Sequence, residues 1–155
     1  MLAGHVWRTA CKARSLKEDQ DVKLYILVDG RLSLKLPSGY CGNVILPSVC
    51  KAKAGDILNK PLWYTVSKIC DTLAKAKEPE SFRSAIDYIE TQPSLDPLIC
   101  GNHTTTCPNL FINSWTKFPY KDLDFGWGAT NFVRHGGARY EGQSSLVPNE
   151  NEVGG

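Results

Sequence analysis

Three histidines, His5, His103 and His135, are the side chains in this sequence best suited to take a proton near neutral pH. Histidine chemistry needs a reacting group and an orienting partner at defined positions. His5 lies in a stretch of helical periodicity, and His103 and His135 lie in polar surroundings, with no nucleophile marked beside any of them. No GxSxG elbow, HExxH pair, P-loop or dinucleotide fingerprint occurs. Cys11, Cys41, Cys50, Cys70, Cys100 and Cys107 are widely spread, and no CxxC marks zinc or redox chemistry. They read as reduced thiols serving as small hydrophobes in a cytosolic protein.

Asp124-Phe125-Gly126-Trp127-Gly128 alternates two glycines with two large aromatics behind a carboxylate. Glycine admits backbone angles closed to other residues, so this pentapeptide predicts a rigid turn with packed rings. It holds no base, thiol or metal cluster, so its part is structural.

The elements that must position these residues sit in a chain of 155 residues with 22% charged and 42% apolar side chains, a globular composition. A net charge of +2 gives no general case for nucleic acid or an anionic membrane as partner. No stretch approaches the roughly 20 apolar residues of a membrane span. The N-terminus lacks the pattern of a secretory signal, which again points to the cytoplasm.

Met1 to Arg14 predicts a helix, with Leu2, Val6, Ala10 and Ala13 at helical spacing and no capping side chain. Such a start is expected of the interior of a longer helix, hence of a fragment. Val22–Val28 is a nearly continuous apolar strand, as in a sheet covered on both faces. Asp29-Gly30 signals a turn, and the alternation of Leu32, Leu34 and Leu36 predicts the second arm of a hairpin. Val44-Ile45-Leu46 reads as a short buried strand ended by Pro47. Asn59 is the expected N-cap of a helix with Pro61 in its first turn and Leu62, Val66, Ile69, Leu73 and Ala76 inward. Pro79 opens a further helix with Phe82, Ala85, Ile86 and Ile89 inward. Leu98–Thr106 reads as loop or irregular strand, Asn109–Phe118 as a buried strand, and Asn131–His135 with Arg139–Val147 as a hairpin. The polar stretch 148–155 is expected to be a disordered tail.

Several stretches resemble segments of the plant BAHD acyltransferases, in that family's order. They are His5-Val6-Trp7-Arg8, Asp29-Gly30-Arg31, Gly39-Tyr40-Cys41-Gly42-Asn43, Arg83-Ser84-Ala85-Ile86-Asp87-Tyr88, Cys107-Pro108-Asn109-Leu110, Asn113-Ser114-Trp115, the DFGWG pentapeptide, Gly136-Gly137 and Tyr140-Glu141-Gly142. Within the family the sequence is most similar to the hydroxycinnamoyl-CoA:shikimate or quinate hydroxycinnamoyltransferases. The resemblance implies an α/β (α+β) chloramphenicol-acetyltransferase-like domain, a mixed sheet with flanking helices, incomplete at both ends. Residues 1–147 would be part of the C-terminal domain. The implied activity is transfer of an acyl group from coenzyme A to a hydroxyl. Acyl-CoA would be a co-substrate, with no permanently bound cofactor and no metal. The partners would be acyl-CoA and a small hydroxylated acceptor, and the family is usually monomeric.

Carried over by position, the resemblance gives no catalytic residue in this chain. The family's HxxxD is absent, since Thr9, Cys107 and Arg139 stand four residues after the three histidines. It implies coenzyme A contacts at Asp29, Gly30, Arg31 and Lys35 and at Ser114, Trp115, Thr116 and Lys117. Trp115 would lie beside the tetrahedral intermediate, and Asn113 and Cys100 would face the acceptor. Asp124 would pair with Arg31 as a structural clamp. The chain departs from the shikimate branch at Asn113, where threonine is usual, and at Cys100, which replaces an acceptor-gripping arginine. Ala129-Thr130 follows DFGWG where a basic residue and proline are usual, and Lys117 stands where arginine is common. Two function classes follow: part of an acyltransferase whose base lies elsewhere, or a non-catalytic remnant that binds acyl-CoA or a partner protein.

Overall fold

The computed structural model describes residues 1–98, 102–130, 132–134, 136–137 and 140–147. Four strands form one mixed sheet in the order β2-β1-β3-β4, where β1 is Asp21–Asp29, β2 Ile45–Lys53, β3 Leu110–Ser114 and β4 Gln143–Leu146. β1 runs antiparallel to β2 and parallel to β3, and β3 runs parallel to β4. The helices are α1 Leu2–Ala13, α2 Ala54–Asn59, α3 Leu62–Ala76, α4 Pro79–Glu90 and the single turn α5 Asn102–Thr105. This is the expected mixed sheet with flanking helices.

Strand alternation sends Val22, Leu24 and Ile26 of β1, Cys50 of β2, Leu110 and Ile112 of β3 and Leu146 of β4 to one face. There they pack on Trp7 and Cys11 of α1, Ala54 and Ile57 of α2 and Ile69 of α3. A smaller cluster joins Val28 to Ala76 and Phe82. The opposite face carries Tyr25, Leu27 and Val49, all half-buried, so the covering on both faces expected for β1 is incomplete.

Several expectations are corrected. No hairpin follows Asp29. Asp29 Oδ1 accepts from the backbone N–H of Arg31 at 3.0 Å, and the chain winds into a compact turn with Leu34 N–H donating to Gly30 O and Leu36 N–H to Arg31 O. Leu32 points to solvent at 92% exposure, while Leu34 packs on the Val28–Phe82 cluster. The antiparallel partner of β1 is instead β2, which pairs along its whole length. Pro47 therefore does not end that strand. It sits inside β2, an edge strand, where a missing N–H can face outward. Asn59 ends α2 rather than capping α3, and its side-chain amide donates to Glu18 at 3.0 Å. Leu98–Thr106 includes α5 rather than strand.

β3 stops at Ser114 because Trp115–Phe118 turns, with Phe118 N–H on Trp115 O. β4 pairs in parallel with β3 rather than closing a hairpin. On α4 only Phe82 is buried, and Ile86 and Ile89 face solvent at 48% and 41% exposure. The predicted tail lies outside the described residues.

Candidate functional site

The parallel register of β1 and β3 runs from Leu24 opposite Leu110 to Ile26 opposite Ile112. Both strands therefore leave the sheet at the same end. Asp29 ends β1 and Gly30-Arg31 follows it, and Trp115-Thr116-Lys117 follows Ser114 of β3. Two segments far apart in sequence thus share the carboxyl end of neighbouring parallel strands, the end where open α/β sheets bind ligands. β4 ends there too, with Trp115 N–H donating to Leu146 O at 2.7 Å.

The segment after β1 is internally committed. Arg31 Nη1 lies 3.0 Å from Asp29 Oδ1, and Arg31 Nη2 donates to Gly42 O at 2.7 Å. The guanidinium thus ties the 29–36 turn to the Gly39–Asn43 turn, and Gly30 N–H donates to Val44 O at 2.9 Å. Lys35 is exposed and forms no ion pair among the described residues. It is the segment's uncommitted cation.

In the segment after β3, Ser114 Oγ and Thr116 Oγ1 are 3.0 Å apart. The Trp115 ring sits 6.1 Å from Phe118 and 6.5 Å from Tyr120, and those two meet edge to face at 5.8 Å. Such pairs hold an indole in one orientation. Lys117 is exposed and, like Lys35, has no ion pair among the described residues. Asn113 is half-buried on the sheet's second face, opposite Ser145 of β4. Cys100 lies outside the described residues.

The DFGWG pentapeptide is a turn built by its own carboxylate. Asp124 Oδ1 accepts from the N–H groups of Gly126 at 2.7 Å and Gly128 at 3.1 Å. Gly126 and Gly128 have φ of 94° and 99°, a region that favours glycine. The expected clamp between Asp124 and Arg31 is not made, because each is satisfied locally. The rings are not packed either: Phe125 is 80% and Trp127 94% exposed.

His5 is exposed on α1, and the side chains of His103 and His135 lie outside the described ones. The site therefore has an indole, hydroxyls, an amide and two cations without ion pairs among the described residues, which suit binding, and no assigned base. Among the described residues no group of acids, thiols and imidazoles could hold a metal, and no helix is long and apolar enough to cross a membrane. Cys11, Cys41, Cys50, Cys70 and Cys107 are free thiols. Burial pushes Cys11 up to about 11 and raises Cys50, so neither is a ready nucleophile.

Sequence reading missed the fastening at the sheet's other end. Arg14 Nη1 donates to Asn109 O at 2.8 Å, and Nη2 lies 3.3 Å from Glu141 Oε1. Tyr140-Glu141-Gly142 was a recognisable family word, but nothing in its composition announced a partner beside α1. A cleft of about 550 Å³ beside Arg14, Lys17 and Cys107 also lies at that end, away from the converging segments.

Sheet, helices and converging loops together make an acyltransferase-type α/β domain. TRI101 of F. sporotrichioides, solved with coenzyme A and T-2, has this fold with a TM-score of 0.82 at 20% identity, over 97% of this chain and 36% of that one. Vinorine synthase follows at 0.69 and 16%, over 96% and 34%. A family model described as "Transferase family" matches residues 1–155, and the chain belongs to that family, the BAHD acyltransferases. Shikimate O-hydroxycinnamoyltransferase of Nicotiana tabacum is 51% identical over 99% of this chain and 36% of its own length. Anthranilate N-benzoyltransferase protein 2 of Dianthus caryophyllus is 41% identical over 99% and 35%, and rosmarinate synthase of Plectranthus scutellarioides 40% over 99% and 36%. The chain spans about a third of the length of these curated relatives.

Proposed function

We propose that this chain forms the coenzyme A-contacting wall of an acyltransferase that moves a hydroxycinnamoyl group from coenzyme A to a hydroxyl acceptor such as shikimate or quinate. The observation that carries the reading is the convergence of the Asp29–Lys35 and Ser114–Lys117 segments at one sheet end. Lys35 and Lys117 meet the phosphates as point charges, and the hydroxyls and backbone donors beside them supply hydrogen bonds. Trp115, braced by Phe118 and Tyr120, flanks the reacting carbonyl, and Asn113 faces the acceptor. Arg31 shapes the first segment rather than contacting phosphate, since its fork is already engaged.

The reaction joins the acceptor oxygen to the thioester carbonyl and expels the coenzyme A thiolate, with the acceptor proton passing to a base. That base is supplied by residues other than those of this chain, which lacks HxxxD. The relatives' names include shikimate, anthranilate and hydroxycinnamate chemistry, so the choice of shikimate or quinate rests on the 51% likeness to the tobacco enzyme and not on Asn113, where the shikimate branch usually has threonine.

Calorimetric titration of the chain with coenzyme A tests the wall, with micromolar-to-millimolar affinity expected and weaker binding in Lys35→Ala and Lys117→Ala. Absence of binding would sink the reading. Incubation with p-coumaroyl-CoA and shikimate is expected to give no turnover, and turnover above a heat-killed control would overturn the assignment of the base elsewhere.

A further inference from the structure

We infer that Arg14, at the end of the sheet opposite the site, is a positioning residue that sets the register of β4 against β3 and thereby places Asn113 and Trp115. The inference rests on the proposed roles of those two residues. Its structural half stands on the geometry of the clamp.

β4 is four residues long and, among the described strands, pairs only with β3. So short a parallel strand carries little register information of its own. A slip of one residue would turn Leu146 out of the core and move Ser145 away from Asn113. Burial of Leu146 opposes that slip, and a contact outside the ladder can add to the opposition. Arg14 is placed to do so, with a side chain only 18% exposed and both terminal nitrogens engaged. Nη1 holds Asn109 O, one residue before β3, and Nη2 holds Glu141, two residues before β4. One rigid fork thus grips the starts of both strands.

Gly142 completes the junction. Its φ is +75°, and its carbonyl accepts from Phe111 N–H at 2.9 Å as the first rung of the ladder. A Cβ there would press on Thr105 O, Asn109 O and Arg14 Nη2. The backbone therefore passes close under the guanidinium, a fit available only to glycine. The ladder then runs to its last rung, Trp115 N–H on Leu146 O. Rungs at Phe111 and Trp115 bracket Asn113, so the amino-end fork determines where the carboxyl-end side chains stand.

The test is amide hydrogen exchange on the 155-residue chain, read at Phe111 and Trp115 against Leu24 and Ile26 of β1 as internal controls. Arg14→Ala is expected to speed exchange at Phe111 and Trp115 by about tenfold, the scale of losing a charged hydrogen bond, with the controls unchanged. Arg14→Lys keeps the charge without the fork and should recover only part of the protection. Glu141→Gln, an exposed change that leaves the core intact, should give a smaller shift at the same two amides. Coenzyme A affinity should fall in the same order. Equal acceleration across the whole sheet in Glu141→Gln and Arg14→Lys, or no change at Phe111 and Trp115, overturns the inference. If the unmodified chain fails to bind coenzyme A while the local exchange effect holds, the coenzyme A reading fails and the register clamp stands.

Discussion

The two ends of the sheet are built on different terms. At the amino end of β1 the chain is fastened to itself: Arg14 spans two strand starts, Ala54 N–H donates to Gln20 O, and Gly55 N–H donates to Glu18 O. At the carboxyl end the loops satisfy themselves locally and leave Lys35 and Lys117 exposed, and the 124–128 turn likewise bonds to itself and leaves Phe125 and Trp127 exposed. Long-range fastening contacts lie at one end, and the proposed binding segments lie at the other. Exposed apolar groups, with cations that form no ion pair among the described residues, are the composition of an interaction surface.

The sharpest way to break this contrast is to attack the fastened end. Trp7 is fully buried between α1 and the sheet, within the cluster of Leu24, Ile57 and Ile112. Trp7→Ala should cost about 3–5 kcal/mol, because the helices around the cavity relax only in part. Urea unfolding followed by far-ultraviolet circular dichroism measures it. A cost below about 1 kcal/mol would mean that packing of α1 on the sheet contributes little to stability. Gly142→Ala should come next, at about 2 kcal/mol or more, since an L side chain at φ +75° is strained and crowds two carbonyls.

The open end should respond in the opposite way. Lys35→Ala and Lys117→Ala remove exposed cations without ion pairs among the described residues, so unfolding should shift by no more than about 0.5 kcal/mol. Coenzyme A binding should nevertheless weaken several-fold, and the loss should shrink as salt is raised. Equal losses of stability and affinity would erase the distinction between the two ends.

The same division governs what could be read from sequence. The helices at 2–13, 62–76 and 79–90 and the strand at 21–29 announce themselves through local periodicity, which reports burial of one face. The stretch 32–36 misleads because Leu-Ser-Leu-Lys-Leu alternates like a strand, whereas Asp29 captures the backbone of Arg31 and winds it into a turn. Ile86 and Ile89 keep helical spacing on α4, but spacing alone cannot say that they end up exposed, at 48% and 41%, rather than in the core. The direction of β4 and the Arg14 fork were illegible for a common reason. Arg14 and Asn109 are 95 positions apart, and pairings at that range belong to topology rather than to local pattern. The site segments were legible only as family words; their convergence required the parallel register of β1 and β3.

The smallest effect expected separates what fastens the amino end from what merely decorates it. Asp56 of α2 lies 2.8 Å from Lys60 Nζ and accepts from Tyr64 OH at 3.2 Å, on the exterior of the fastened end. The hydrogen bond from Lys60 holds the Asp56 carboxyl below its ordinary value of 3.8. A depressed carboxylate contributes stability above its unfolded pKa and loses that contribution as pH falls through the folded pKa. Asp56→Asn should therefore lower the melting temperature slightly at pH 7, and the gap to the unmodified chain should close on acidification below about pH 4. The gap should also shrink in high salt, because Lys60 is exposed and Asp56 is in part open to solvent. A pH-independent gap would assign the effect to the Tyr64 hydrogen bond, which an asparagine amide could retain only in part. A gap as large as that of Gly142→Ala would mean that surface ion pairs, not the Arg14 fork and the backbone bonds at 18 and 20, carry the fastening.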